Sequence, residues 1–190
     1  MEIPLFMVDR TLFEQCKHKN AKAQRQLYDL YKARLMGMCR RYTRSREDAQ
    51  DVLQDSFIKI FSNIDRVGDV RTLEGWMLSI AVNTSIDHYH KHKKHEFFQY
   101  PEEQDEVAGD DDDKLISRLS DEYLVAMISE LPDGCRMVIN LFAIEGYSHA
   151  EIAERLSISE GTSRSQLHHA KYLLKKKLSL PGVTLYEKLA

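Results

Sequence analysis

Apolar residues recur at steps of three and four along most of the chain, the spacing of helices that bury one face. Leu27, Leu30, Tyr31, Leu35 and Met38 predict a helix from about Ala21 to Tyr42. The clearest stripe follows, with Ala49, Val52, Leu53, Phe57, Ile60, Phe61 and Ile64 on one face and Asp51, Gln54, Asp55 and Lys59 on the other. Ser45 and Asp48 before it resemble a capping box with Asp in place of the usual Glu. Upstream, Asp9 is suited to cap a short helix reaching Lys19. Downstream, Gly68 marks a loop, and Thr72 is the predicted cap of a helix carrying Trp76, Met77, Ile80 and Ala81. Ile80, Ala81 and Val82 read as core. Asn83-Thr84-Ser85 interrupts the apolar pattern, so a separate helix is predicted through Ile86 and Tyr89 into the run His90 to His95.

The C-terminal part repeats the helical pattern. Leu124, Met127, Ile128 and Leu131 form one stripe, ended by Pro132. Met137, Val138, Leu141 and Phe142 form another, and Gly146 suits the left-handed position after a helix. Ser148 and Glu151 make a full capping box ahead of Ile152, Ala153 and Leu156. Ser157-Ile158-Ser159 is a predicted turn with Ser159 as a cap, and a last helix runs from near Glu160 to about Leu178. The stretch 148–177 thus has the shape of a helix-turn-helix, with the small Ala153 where two helices must cross closely. The second helix of such a motif enters the major groove, and Arg164, Ser165, His168, His169 and Lys171 are its outward candidates. An arginine fork matches the O6 and N7 acceptors of guanine. A helical hairpin with no DNA role is the competing reading of the same spacing.

Between the two helical parts, residues 98–119 hold eight acidic and two basic side chains among few large apolar ones. Like charges repel, so this segment reads as a flexible acidic linker. The resulting expectation is an all-α chain of two small helical domains: 1–97, then the linker 98–119, then 120–178, with a tail 179–190 of unassigned role. Residues 1–97 carry +4 and residues 120–178 carry −1, within a total of −3 over 190 residues. A free-standing nucleic-acid binder is usually basic throughout. If this chain meets DNA, something else must supply most of the grip. Cys16, Cys39 and Cys135 are far apart with no CxxC pair, which speaks against a disulfide scaffold or zinc ribbon and fits a reducing cytoplasm. No apolar run has the ~18 residues of a membrane span, and Met1 to Arg10 does not read as a secretory signal. No membrane contact is expected of the chain.

The helical part around Trp76, Asn83, Asp87, His88, Tyr89 and Lys91 mixes aromatic, amide and basic groups. Unstacked bases are held by aromatic faces and by amides, which is one use for this set. The bland use makes Trp76 core, Asn83 a cap and the Lys/His run a wet surface. His88, His92 and His95 share a helical face, a spacing compatible with metal, yet no cysteine or paired carboxylate accompanies them. We expect no metal and no cofactor. Phosphate loops, nucleophile elbows, metalloprotease motifs and matched carboxylate pairs are missing, so the chain does not read as an enzyme.

Three blocks together resemble the extracytoplasmic-function (ECF, group 4) sigma factors of bacterial RNA polymerase. Asp48-Ala49-Gln50-Asp51-Val52-Leu53-Gln54-Asp55-Ser56-Phe57 is similar to their region 2.2. Trp76-Met77-Leu78-Ser79-Ile80-Ala81-Val82-Asn83 is similar to regions 2.3 and 2.4. Leu131-Pro132 through Gly161-Thr162-Ser163-Arg164-Ser165 is similar to region 4. The resemblance implies that Asp51, Gln54 and Asp55 dock on the β′ clamp helices of core polymerase, with the β subunit as a further contact. It implies that Asn83 and a short loop after it capture a flipped base of the −10 element, beside Trp76, Asp87, His88, Tyr89 and Lys91. It implies that Arg164, Ser165, His168, His169 and Lys171 read the −35 element, and that the acidic linker threads toward the polymerase active site. Promoter DNA and core polymerase are then the partners, and the family admits an anti-sigma factor. Five positions depart from the family pattern. Ser157 stands where many such turns have Gly, Ser163 replaces a common apolar residue, and His88, His90 and His92 stand where Arg is frequent.

Overall fold

The computed structural model describes residues 8–92 and 122–178. Helices and turns account for them, with no strand among the described residues. The chain divides into two compact units, Met1–His88 and Tyr89–Ala190.

The first unit starts with α1 (Arg10–Lys17), where the Asp9 carboxylate accepts from the Leu12 amide at 2.6 Å. The helix ends two residues short of the expected Lys19, which takes φ 59 and turns the chain. Asn20 then caps α2 (Ala21–Tyr42), accepting from the Lys22 and Ala23 amides. The buried side of α2 carries Leu27, Tyr31, Leu35, Met38 and Tyr42. It packs on α3 (Arg46–Asn63), whose Ala49, Val52, Leu53, Phe57 and Ile60 are buried, as their spacing predicts. Ser45 caps α3 by accepting from the Asp48 amide at 3.0 Å. Each large apolar side chain enclosed in this seam contributes about 1.5–3 kcal/mol relative to exposure.

Two expected helix boundaries fail after α3. Thr72 is not the cap of the following helix. Asp69 caps a short 3-10 turn, Val70–Thr72, and the Thr72 hydroxyl donates back to the Asp69 carbonyl at 2.8 Å. The second failure is the break at Asn83-Thr84-Ser85, because α4 runs unbroken from Leu73 to His92. The Thr84 hydroxyl donates to the Ile80 carbonyl and that of Ser85 to Ala81, both at 2.8 Å. Their polar groups are satisfied within the helix, so both side chains are buried at no cost to its continuity. Ala81 and Val82 are core as expected, whereas Ile80 is only half-buried.

The second unit contains α5 (Glu122–Ser129), α6 (Asp133–Ile139), α7 (His149–Leu156) and α8 (Glu160–Leu178). A wide π turn, Asn140–Ile144, extends α6, and Gly146 after it takes φ 78, as the sequence suggests. Arg136 is buried, with its guanidinium paired to Asp133 and donating to the carbonyls of Ser129 and Leu131 at 3.1 and 2.9 Å. It satisfies carbonyls that the end of α5 leaves open. α6 and α8 meet so closely that a Cβ on Gly134 would come within 2.5 Å of the Gln166 side chain. The expected linker 98–119, the tail 179–190 and His95 lie outside the described residues.

Leu35 is fully buried. Leu35→Ala should cost about 2–5 kcal/mol in urea unfolding of the full chain. Ser157 has φ 53 and ψ 51, a left-handed conformation that costs an L-residue roughly 1–2 kcal/mol. Ser157→Gly should therefore raise stability by about 1 kcal/mol, and an unchanged urea midpoint would contradict this account of the turn.

Candidate nucleic-acid interface

Because α3 buries one stripe, Asp51, Gln54 and Asp55 remain exposed on the other. The structure adds a residue that the sequence reading overlooked. Ile58 is 63% exposed and follows Asp51 and Asp55 at steps of four and three, on the same face. Its signal was its absence from the buried stripe: Phe57 and Ile60 turn inward, so Ile58 cannot.

The unbroken α4 aligns Trp76, Ile80, Asn83, Asp87 and Lys91 along one side, over roughly 22 Å at the α-helical rise. Trp76 is half-buried, neither core nor free in solvent. With Ile80 and Asn83 it lines an open cleft of about 280 Å³ whose other walls are Lys59, Asn63 and Arg66. That volume sits near the lower end for small-molecule sites. The walls offer one indole, two carboxamides, two cations and one aliphatic side chain. Lys59 is held by Asp87 at 2.7 Å. His88 leaves this stripe, its Nε2 lying 3.7 Å from a carboxylate oxygen of Asp48 on α3. Tyr89 lies off the stripe too, by helical spacing.

In the second unit, the capping box closes both ways. The Ser148 amide donates to Glu151 at 2.8 Å, and the Glu151 amide donates to the Ser148 hydroxyl oxygen at 3.3 Å. The bonds from Ser148 hold the Glu151 carboxyl below its ordinary range. Ser159 caps α8 through the Thr162 amide at 3.0 Å, as expected. Arg164 and His168 are exposed on α8, while Ser165, His169 and Lys171 are half-buried. Arg164 pairs with Glu160 one turn earlier at 2.8 Å. An exposed pair of this kind is worth little, about 1 kcal/mol at most, so it yields readily to a stronger acceptor. Tyr172 continues the Arg164–His168 line and is 53% exposed, with its ring 6.2 Å from that of His169. Its step of four from His168 was legible but unused.

The departure at Ser163 has a structural counterpart. Ser163 is fully buried, and its hydroxyl lies 2.9 Å from Nδ1 of His149, the first residue of α7. The Phe142 ring stacks on the other side of His149, with centroids 4.7 Å apart and planes at 20°. Burial holds the His149 pKa below its usual value, and Arg164 and Lys171 act in the same direction against Glu160.

The three cysteines are buried free thiols. Burial pushes the Cys16 thiol up to about 11 and that of Cys39 to about 12, so both stay protonated near neutral pH. Among the described residues no three His, Cys, Asp or Glu side chains are grouped to hold a metal, and no helix is long and apolar enough to cross a membrane.

Known families match both units. The model of sigma-70 region 2 matches residues 27–95, from α2 through α4, and that of sigma-70 region 4 matches residues 121–174, from α5 into α8. The chain belongs to the sigma-70 family, in its ECF branch. It is similar to the ECF RNA polymerase sigma factor SigW of Bacillus subtilis, at 28% identity over 90% of this chain and 97% of SigW. It is similar also to the ECF RNA polymerase sigma-E factor of Haemophilus influenzae, at 26% identity over 90% and 96% of the two chains. A solved structure of CnrH in complex with the cytosolic domain of CnrY aligns over 90% of this chain and 96% of that one, at 24% identity and a TM-score of 0.46. Membership gives this sigma factor its general role, transcription initiation with RNA polymerase.

His149 supplies a pH test. Its folded-state pKa lies below the ordinary histidine value of 6.5, so the unfolded chain takes up this proton first as the pH falls. The stability it contributes is complete above pH 6.5 and declines as the pH drops from there toward the folded-state pKa. Between pH 7.5 and 5.5, wild type should therefore lose more thermal stability than His149→Phe. Equal losses would show that His149 is not held neutral by the fold.

Proposed function

We propose that this chain directs core RNA polymerase to promoters by reading −35 and −10 elements, and that it helps to open the −10 region. The observation that carries this reading is the unbroken outer stripe of α4, which leads into the cleft beside Trp76 and Asn83. An unstacked base has an aromatic face to lie on there and carboxamides for its edge, with Arg66, and Lys59 in exchange for its exposed pair with Asp87, for its phosphates. Extruding a base costs roughly a few kcal/mol, and capture in such a cleft offsets it. Asp87, His88, Tyr89 and Lys91 are the proposed further contacts to the −10 element or its backbone.

Arg164, Ser165, His168, His169 and Lys171 on α8 are proposed to read the −35 element in the major groove. Asp51, Gln54 and Asp55 are proposed to dock on the β′ clamp helices. The sequence divisions 1–97, 98–119 and 120–178 then act as the −10 and core-binding domain, the linker and the −35 domain. Polymerase supplies the nonspecific grip that a chain of net charge −3 lacks. The reading assigns no catalysis, no cofactor and no metal, and places the protein in the cytoplasm with its polymerase. An anti-sigma factor is included among the proposed partners.

Two experiments test this. Purified chain should co-migrate with bacterial core RNA polymerase on a sizing column, and a Gln54→Ala/Asp55→Ala chain should not. If neither binds, the polymerase reading falls and a stand-alone DNA-binding protein takes its place. In the holoenzyme, Arg164→Ala should weaken discrimination at the base it reads by about 1–3 kcal/mol in competition binding. A uniform loss across all sequences would assign Arg164 to phosphate.

A further inference from the structure

Three helical segments converge on His149. It opens α7, the face of its ring is covered by Phe142 from the π turn, and its Nδ1 bonds to Ser163 on α8. Apart from Ser163, the buried residues of α7 and of α8 through Lys177 are Ile152, Ala153, Leu156, Leu167, Ala170 and Leu174, all apolar. Apolar contacts are non-directional and tolerate small rotations and slides of one helix on another. A hydrogen bond is directional, and one made by the fully buried Ser163 hydroxyl beside apolar contacts is satisfied in one register only. Ser163 is also the residue immediately before Arg164. Successive residues point about 100° apart on a helix, so fixing Ser163 inward fixes the direction in which Arg164 leaves the surface. Recognition groups must be held within roughly 10–20° of their productive orientation. Ser157, by contrast, bends the chain between the helices through its backbone, whose N–H donates to the Ala153 and Glu154 carbonyls of α7.

We infer that His149 and Ser163 form a polar pin that sets the rotational register of α8, and so act as positioning residues for base discrimination at the upstream element. The inference rests on the proposed reading of α8 as the −35 helix. Neither residue touches DNA. Loss of the pin leaves the helix folded on its apolar contacts but free to rotate, so Arg164 samples several directions and reads bases less selectively. Nonspecific affinity, which depends on charge, does not change.

The test uses holoenzyme made from the full chain and bacterial core polymerase. The probe is the duplex that wild-type holoenzyme enriches from a random-sequence pool, together with its single-base variants across the upstream element. Ser163→Ala and His149→Phe each remove the hydrogen bond, and Phe retains a ring against Phe142. Each should lower discrimination among the variants about fivefold, the scale of one neutral hydrogen bond, with affinity for random duplex unchanged. The double variant should be no worse than either single one, because one interaction is lost in all three. Ser163→Thr, which keeps the hydroxyl, should restore discrimination. The inference is overturned if the single variants lower thermal stability yet discriminate as wild type does, or if their effects add. Wild-type holoenzyme that shows no preference across the upstream element would instead overturn the −35 reading of α8, and the pin's role with it.

Discussion

The apolar seam between α2 and α3 is the interaction on which the first unit depends. Leu27, Tyr31, Leu35 and Met38 are enclosed from one side and Val52, Leu53, Phe57 and Ile60 from the other. A helix that commits one stripe to such a seam leaves its opposite stripe in water. On α3 that stripe is Asp51, Gln54, Asp55 and Ile58, so the packing that folds the unit also displays its acidic face. The surface then sits on a rigid helix rather than a loop, which limits how much order must be gained on binding. The ring of Tyr28, 4.6 Å from that of Phe57, extends the seam toward its edge.

Continuity of α4 does the corresponding work on the neighbouring face. A break at Asn83 would have pointed the residues on either side of it in different directions. Instead Thr84 and Ser85 return their hydroxyls to carbonyls four residues earlier. Trp76, Asn83 and Asp87 therefore share one axis. Across the groove, Lys59 of α3 reaches Asp87 and Asp48 lies 3.7 Å from His88, so polar contacts relate the two helices. An exposed ion pair contributes little to stability. Its value here is in holding a lysine at the rim of the cleft.

The second unit solves a different problem, that of holding short helices whose individual apolar stripes are small. Polar groups take over part of the task. Arg136 closes the end of α5, Ser148 and Glu151 close the start of α7, and His149 reaches across to Ser163. Arg136 and Ser163 are buried, where a polar group is costly unless bonded, so their bonds select one arrangement over nearby ones. Specificity of geometry, more than added stability, is what these groups provide.

Helix positions, the capping box at Ser148, the cap at Ser159 and the left-handed Gly146 were legible from the sequence, because each depends on residues within a few positions of one another. The same locality exposed Asp51, Gln54 and Asp55 as the outer face of α3. The resemblance to sigma factors was legible for a related reason, as its three blocks are contiguous stretches. Where local rules misled, a competing local bond decided the outcome. Asp69 displaced Thr72 as the cap, and back-bonding by Thr84 and Ser85 removed the expected break in α4. What only the tertiary structure determined involves residues far apart in sequence. Trp76 could not be assigned to core or surface until Lys59, Asn63 and Arg66 were seen around it. Ser163 stood only as a departure from a common apolar residue until His149, fourteen residues away, was found bonded to it. Period and capping report which face of a helix turns inward. They do not report which side chain waits on the other side, and that pairing is fixed only when separate helices meet.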